Sequence, residues 1–426
     1  MRFFSNLLKS SFVKDSSYMV LSTIAMQLIA ISTIPILTRL FSPEVFGYHS
    51  TYRATLVILS IIFTLKLETA IVLPKLDENK RKIYLSSITN VIIIVVLLTI
   101  FYYSLRFLNF DILLKAFDIS DFELFLLVLL GSLFVGFTNI DQSRLVSLKH
   151  FKTIAISRLI LPLSFFFISI LLFYFYNNYL SLIISQLITY FFLFLFFKNK
   201  VELNLKGFSK NIYFCTLSKY NDIIKYTSTN SLLNTISLNV PSLILLSLFG
   251  AKILGFYAIG AKLISLPSQF ISASFSQVFY KKSVDIYNYK PEKLYPFVKK
   301  IMLTLLLIGV VTFTIAYFLV PYLVPLFLGS DWVGAIEIMQ YICLWQALMI
   351  VNGPVSTLTI LLNKQKELLI FNALLLIFRV FSIWYPFHLG FEAKYSILSF
   401  ALVGLLFNSF LFFYFLNISK KSYTHK

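Results

Sequence analysis

The stretch from Tyr52 to Leu73 places ionisable side chains inside a long apolar run. It is long enough to cross a bilayer, since about 20 apolar residues span the hydrocarbon core as a helix. At about 100° per residue, one arc of this helix would hold four polar side chains: Arg53, Ser60, Thr64 and Glu68. Lys66 would point almost the opposite way. An ionisable group at membrane depth costs about 2.5–3.5 kcal/mol and usually faces a bundle interior or water, so this stripe predicts a polar lining.

Two further polar stripes occur in the second half of the chain. One has the helical spacing i, i+4, i+7, i+11 and consists of Asn230, Asn234, Ser237 and Pro241. The other consists of Lys262, Ser265, Gln269, Ser272 and Ser276. Cationic groups bind phosphate through charge-assisted hydrogen bonds, and amides and hydroxyls bind sugars, so these faces suit an anionic, hydroxyl-rich cargo. A cationic drug would instead need acidic and aromatic walls.

The stripes define a candidate substrate-binding set and a candidate coupling residue. The substrate-binding set is Arg53, Ser60, Thr64, Asn230, Asn234, Lys262 and Gln269, and Glu68 is the candidate for proton or Na⁺ coupling. The structural alternative is that hydroxyls and amides join helices, at roughly 0.6 kcal/mol per hydrogen bond. The cations could likewise extend to the headgroups. The sequence leaves these alternatives open, and it does not assign Lys66 or Arg379 to a cavity.

The elements that must carry these stripes are membrane-spanning helices. The chain has 426 residues, of which 58% are hydrophobic and 13% charged, whereas soluble domains carry about 25% charged residues. Its apolar runs lack the alternation of a membrane barrel. We therefore predict an all-α integral membrane protein with twelve spans, at residues 17–38, 52–73, 83–105, 120–140, 154–176, 178–197, 223–248, 256–279, 299–320, 333–355, 367–387 and 395–416.

The charge distribution predicts the orientation of these spans. The formal net charge is +19, and the whole excess falls in the two termini and in alternate loops. Positive residues collect on the cytoplasmic side of membrane proteins, so both termini are predicted to be cytoplasmic, and nucleic acid is not needed to explain the charge. Cys215 and Cys343 fall in a loop and in a span, which indicates neither a disulfide nor a metal site.

A short internal repeat divides the chain near its middle. A shift of 208 residues lays the motif Leu40–Tyr48 on Leu248–Phe256, and a shift of 214 lays Leu148–Lys152 on Leu362–Lys366. We therefore predict a six-helix lobe at 1–200, a cytoplasmic linker at 201–222 and a second six-helix lobe at 223–426. Because six is even, the lobes would be parallel repeats, and spans 1, 2, 7 and 8 would enclose a polar, net-positive cavity between them.

The motif Arg39–Gly47 (RLFSPEVFG), the six-plus-six arrangement and the basic motif before the fifth and eleventh spans resemble the O-antigen/capsule polysaccharide flippase family. That family belongs to the multidrug/oligosaccharidyl-lipid/polysaccharide (MOP) exporter superfamily. The resemblance implies a MATE-like fold and translocation of undecaprenyl-diphosphate-linked oligosaccharide from the cytoplasmic to the periplasmic leaflet of a bacterial inner membrane. The implied partners are this cargo, membrane lipid, and the polysaccharide polymerase with its chain-length machinery.

The resemblance implies no cofactor, and it leaves open coupling to H⁺, to Na⁺ or to the membrane potential alone. The alternative within the superfamily is a multidrug or cation antiporter. An enzyme of polysaccharide assembly would need a substantial outer loop with an acid/base pair. The longest predicted outer loop of the first half, Arg106–Glu123, is short and has no evident pair, so a non-enzymatic role is expected.

Overall fold

The computed structural model describes residues 11–107, 122–176, 178–201, 208–362 and 364–421. Within these ranges the regular elements are helices, and no strand occurs, which confirms the predicted all-α class. Most of the predicted outer loop Arg106–Glu123 lies outside the described residues.

The described residues of the first half of the chain form seven α-helices and one short 3₁₀ helix. These are α1 (Ser11–Leu40), α2 (Pro43–Thr64), the 3₁₀ helix Leu67–Val72, α3 (Asp77–Phe107), α4 (Phe122–Ser147), α5 (Phe151–Phe173), α6 (Tyr179–Lys198) and α7 (Lys210–Lys219). Most are long and apolar along their whole length, which is the pattern of helices that meet lipid or other helices on every side.

The second half begins with a π-helical turn, Ile223–Ser228, and continues with six α-helices. These are α8 (Thr229–Tyr289), α9 (Leu294–Phe327), α10 (Ala335–Val355), α11 (Leu358–Leu361), α12 (Gln365–His388) and α13 (Ala393–Lys421), with 3₁₀ turns at Pro291–Lys293 and Ser330–Trp332. α8 is two helices in one, because Gly250 has φ 82° and interrupts the helical backbone.

Ten segments within the described ranges are long and apolar enough to cross a membrane, so the protein is a multi-pass membrane protein. One of them, Ile223–Ser272, contains the predicted seventh span and much of the predicted eighth. The helix α2 is not among the ten, because its first half is rich in polar residues such as Glu44, His49 and Arg53. The count of twelve spans and the cytoplasmic termini stay predictions.

The chain divides into two compact units. Unit 1 comprises Met1–Leu40 and Thr51–Thr235, and unit 2 comprises Phe41–Ser50 and Ile236–Lys426. Unit 2 therefore contains a ten-residue segment taken from the first half of the chain. The predicted lobes at 1–200 and 223–426, with their linker at 201–222, remain a prediction about the repeats.

Segment Phe41–Ser50 crosses the second repeat motif at two glycines. A Cβ atom on Gly47 would lie 2.0 Å from the Ala251 carbonyl oxygen, and a Cβ on Gly255 would lie 1.8 Å from the Pro43 carbonyl oxygen. Under the 208-residue shift Pro43 corresponds to Ala251 and Gly47 to Gly255, so the two contacts are equivalent. The short sequence repeat is thus a structural pseudo-twofold contact, which we call the glycine crossing, and only glycine permits such an approach.

Polar and aromatic contacts surround the glycine crossing. The Phe46 and Trp332 rings meet edge to face at 5.3 Å. The hydroxyls of Ser50 and Ser242 are 3.0 Å apart, and Lys252 pairs with Glu44 at 3.9 Å. Apolar burial and hydrogen bonding together fix segment Phe41–Ser50 to unit 2.

We predict that Gly47→Val and Gly255→Val each destabilise the protein by about 3 kcal/mol, because a side chain there forces two backbones apart. Thermal unfolding of the purified protein in detergent would measure the loss, together with its abundance in membranes.

Gly136→Ala is the matched control for these variants. A Cβ on Gly136 would meet its nearest atom, Cγ2 of Thr64, at an ordinary 3.6 Å, so this helical variant should be neutral or stabilising. Equal melting temperatures for Gly47→Val and Gly136→Ala would contradict the close approach at the glycine crossing.

Candidate functional site

The predicted polar stripe on residues 52–73 is broken in the structure. We expected one continuous helix, but α2 ends at Thr64, and the next two residues, Leu65 and Lys66, have φ values of 48° and 54°. Left-handed backbone costs roughly 1–2 kcal/mol for a residue other than glycine, so packing must hold it in place. The helical arc of Arg53, Ser60 and Thr64 therefore does not extend to Glu68, which lies on the 3₁₀ helix Leu67–Val72.

The break reverses the expected directions of Lys66 and Glu68. On a continuous helix these side chains would point nearly opposite ways, whereas Nζ of Lys66 lies 3.6 Å from Oε1 of Glu68. Glu68 is buried, with 3% of its surface exposed. Its second oxygen, Oε2, has no hydrogen-bond partner among the described residues. A buried carboxylate with one unpaired oxygen is costly unless it is protonated or gains a cation.

Polar side chains from two other helices stabilise the end of α2. The helix break deprives the Phe63 carbonyl of its usual donor, and Nδ2 of Asn90 donates to it at 2.8 Å. The Tyr213 hydroxyl, on α7, donates to Oδ1 of Asn90 at 3.0 Å. Burial raises the pKa of the Tyr213 hydroxyl, so it stays protonated and able to donate. Asn90 is not among the residues predicted from the sequence, although a lone amide inside an apolar span was its signal.

Two more polar pairs of unit 1 were also missed. The Tyr84 hydroxyl donates to Oδ1 of Asp141 at 2.6 Å, and both residues are buried. Arg144 holds Asp77 with two parallel hydrogen bonds of 2.8 and 2.9 Å. Such bidentate pairs are strong and directional, so they tie α4 to α3 beside the break in α2.

The predicted residues of α2 have different surroundings. Arg53 is exposed, and the half-buried Tyr190 interacts with it electrostatically. Ser60 and Thr64 are buried: the Ser60 hydroxyl donates to the Val57 carbonyl at 2.8 Å, and Oγ1 of Thr64 accepts from the Lys66 amide at 3.3 Å. Both hydroxyls are thus engaged within their own segment, and Arg53 is the member of this arc that reaches the surface.

The predicted residues of α8 are all exposed. Asn230 and Asn234 lie on its first two turns, and Lys262 and Gln269 lie after the Gly250 interruption. Nε2 of Gln269 donates to the Ser265 hydroxyl at 2.9 Å, and that hydroxyl donates to the Lys262 carbonyl at 3.0 Å. These two hydrogen bonds join Lys262, Ser265 and Gln269 into one polar row after the Gly250 interruption.

Each repeat places one exposed cation after its crossing glycine. Arg53 follows Gly47 by about 9 Å of helix, and Lys262 follows Gly255 by about 10 Å. Each cation offers a position at which a phosphate could bind through charge-assisted hydrogen bonds, although the 208-residue shift pairs Arg53 with Ala261, one residue before Lys262. No cluster of three metal-ligating side chains occurs in the part of the chain that the structure describes.

Solved structures with the same arrangement of helices define the class of fold. A lipid II flippase MurJ in an inward closed conformation superposes with a TM-score of 0.70 at 16% identity, covering 97% of this chain and 91% of that one. An inward-facing multidrug resistance MATE family transporter gives 0.66 at 14%, covering 94% and 95%. A MOP superfamily transporter from Pyrococcus furiosus gives 0.54 at 13%, covering 96% and 93%. The protein therefore has the fold of the MOP superfamily, as predicted.

The sequence itself assigns the family within that fold. A family model described as "Polysaccharide biosynthesis protein" matches residues 36–337, well over half of the chain. The chain belongs to this family. No curated protein sequence matches it.

We predict that Asn90→Leu destabilises unit 1 by about 1–3 kcal/mol, because it leaves the Phe63 carbonyl and the Tyr213 hydroxyl without partners in a buried site. Tyr213→Phe, which removes a single hydrogen bond, should cost about 0.5–1.5 kcal/mol. Thermal unfolding of the three proteins in the same detergent tests the order, and a Tyr213→Phe loss as large as that of Asn90→Leu would contradict it.

Proposed function

We propose that the protein is a flippase for undecaprenyl-diphosphate-linked oligosaccharide units. It moves them from the cytoplasmic to the periplasmic leaflet of a bacterial inner membrane by alternating access, for O-antigen, capsule or another surface polysaccharide. Membership of a polysaccharide biosynthesis family supports the glycan class. The fold shared with a lipid II flippase supports a lipid-linked cargo.

The exposed cations Arg53 and Lys262, each on the helix that follows a crossing glycine, are the observation that carries this proposal. Arg53 and Lys262 would bind the diphosphate, while the exposed amides of Asn230, Asn234 and Gln269 would bind sugar hydroxyls. Ser60 and Thr64, which are buried, would shape the helix that bears Arg53. The polyprenyl tail would stay in membrane lipid during the passage.

The charge of the cargo supplies a driving force. Moving one negative charge outward across an inside-negative membrane is favourable by about 2.3 kcal/mol per 100 mV. The membrane potential alone could therefore drive a diphosphate outward. The unpaired oxygen of buried Glu68 adds a place where a proton or Na⁺ could bind and couple to transport. No cofactor is required by either route.

A multidrug or cation antiporter is the second candidate, and the likeness to a multidrug resistance MATE transporter favours it. The exposed members of the predicted binding set argue against it, because they are cations and amides and include no carboxylate. Deletion of the gene separates the two functions. Loss of surface polysaccharide supports the flippase, and drug sensitivity with intact polysaccharide supports the antiporter.

We propose that the exported units pass to a polysaccharide polymerase and its chain-length machinery at the outer leaflet. The flippase breaks and forms no covalent bond in this scheme, so it acts as a transporter and not as an enzyme. Its contribution to polysaccharide assembly is to deliver substrate to the leaflet where polymerisation occurs.

We predict that Arg53→Glu abolishes glycan export, because a carboxylate at this position repels the diphosphate, and that Lys262→Glu lowers export at least tenfold. Arg53→Lys should keep partial export, since it retains the charge but loses the bidentate fork. Surface glycan, normalised to the amount of protein in the membrane, is the measurement.

Lys290→Glu is the control for these charge reversals. Lys290 is exposed at the end of α8 and is not part of the predicted set, so the same change of charge there should leave export unchanged. Normal surface glycan in the Arg53→Glu strain would remove Arg53 from the binding site.

We predict that Glu68→Gln removes the response of transport to a pH or Na⁺ gradient and leaves the response to membrane potential. The amide keeps the shape of the side chain but cannot take up a proton and has no negative charge with which to attract Na⁺. Flipping of a lipid-linked oligosaccharide in proteoliposomes, with each gradient imposed separately, is the measurement. The single variant Lys66→Met breaks the ion pair but keeps the carboxylate, and so separates loss of the pair from loss of coupling. An unchanged gradient response in Glu68→Gln would exclude Glu68 as the coupling residue.

A further inference from the structure

Arg379 of α12 is an arginine buried inside unit 2. Only 4% of its surface is exposed, and Nη1 donates to both the carbonyl and the hydroxyl oxygen of Ser237, at 3.1 and 3.0 Å. The guanidinium lies over the rings of Trp345 and Phe400, with Cζ 5.7 and 5.4 Å from their centroids. In the described parts of the chain no carboxylate forms an ion pair with Arg379. Burying an arginine at membrane depth costs free energy, so its presence there indicates a role that a neutral residue cannot fill.

The acceptor of Arg379 is a carbonyl that a proline has released. Pro241 lies four residues after Ser237 in α8. Proline has no N–H, so it cannot give Ser237 its helical hydrogen bond, and its ring also crowds that carbonyl and bends the helix. In a bilayer such a carbonyl has no water to bind, and a donor from a neighbouring helix must replace the missing one. Arg379 supplies that donor.

A neutral side chain satisfies the same kind of carbonyl elsewhere in unit 2. Pro321 releases the carbonyl of Tyr317 in α9, and Nε2 of Gln340 donates to it at 3.2 Å. An amide is therefore sufficient to satisfy the acceptor. The guanidinium at Ser237 adds a second hydrogen bond from the same nitrogen and two aromatic contacts. It therefore holds the orientation of the Ser237 carbonyl as well as satisfying it.

Unit 1 provides the comparison. Nη1 of Arg158, on α5, donates to the Met19 carbonyl at 3.0 Å and to the Thr23 hydroxyl. α5 and α1 contain the fifth and first predicted spans of their repeat, as α12 and the start of α8 contain the fifth and first of theirs. The residue four positions after Met19 is Thr23, however, and not proline. The two repeats share an arginine that binds a carbonyl and a hydroxyl, but only in unit 2 does the arginine meet a proline-released carbonyl.

We propose that Arg379 is a positioning residue that, by binding the released carbonyl of Ser237, sets the bend at Pro241 in α8. The positively charged guanidinium is bound by a carbonyl oxygen, a hydroxyl oxygen and the faces of two aromatic rings. The consequence for transport rests on the proposed flippase function, whereas the consequence for the bend does not.

The bend is measured without any cargo. Spin labels on cysteines at Thr229 and Ser247 flank Pro241; both positions are exposed, and a straight helix would separate them by about 27 Å. Cys215, which is exposed, is first changed to serine, and buried Cys343 stays. We expect Arg379→Ala to shift or broaden the distance distribution. Adding Pro241→Ala to Arg379→Ala should return a single narrow distance, because residue 241 then donates to Ser237 itself.

Transport gives the second readout. Per molecule in the membrane, Arg379→Ala should lower glycan flipping at least tenfold, and Arg379→Lys should recover part of it. The double variant Pro241→Ala, Arg379→Ala should come within about threefold of Pro241→Ala alone. Guanidinium ion added to folded Arg379→Ala in proteoliposomes should raise its rate, which a loss of folding would not allow. Arg158→Ala, the matched control, should leave the distance across Pro241 unchanged.

An unchanged distance distribution in Arg379→Ala would overturn the proposal, and so would a failure of Pro241→Ala to suppress that variant. Where Arg379→Ala alone does not accumulate, the double variant decides: normal accumulation supports the proposal, and its absence contradicts it. If the wild type flips no lipid-linked glycan, the flippase function fails, but the spin-label result still tests the bend.

Discussion

Every backbone carbonyl inside a bilayer must find a donor within the protein, because the hydrocarbon offers none. Regular helices meet this requirement, and the places where a helix is interrupted do not. In this protein a side chain from another helix fills each of three such gaps. Asn90 serves Phe63 at the end of α2, Gln340 serves Tyr317 before Pro321, and Arg379 serves Ser237 before Pro241. Two buried polar side chains of the described residues, Asn90 and Arg379, are accounted for in this way.

The same interruptions give the candidate site its form. Without the left-handed residues Leu65 and Lys66, α2 would continue, and Glu68 would lie far around the helix from Lys66. With them, the two charges meet, and a carboxylate oxygen is left buried without a hydrogen bond. The feature that most suggests ion coupling is therefore a product of backbone geometry.

The sequence was sufficient for the fold class, because long apolar runs without alternation can only be membrane helices. It also located the repeated motifs Leu40–Tyr48 and Leu248–Phe256, but not the contact between them at the glycine crossing. It could not locate the end of α2, since leucine and lysine carry no signal for positive φ. The assignment of Phe41–Ser50 to unit 2 depends on contacts with residues some 200 positions away, which local patterns do not reveal. Candidate residues could be chosen by type, but partners such as Asn90 and Tyr213 required coordinates.

The discontinuous composition of unit 2 has a consequence for biosynthesis. Segment Phe41–Ser50 leaves the ribosome early, yet the backbone that Gly47 touches is made only after about 200 further residues. At roughly 5–20 residues per second, the segment waits on the order of 10–40 s for Ala251 to emerge. During that interval its narrow glycine face, shaped for another helix, has no permanent neighbour, so a chaperone or insertase that shields it would have its greatest influence in this period.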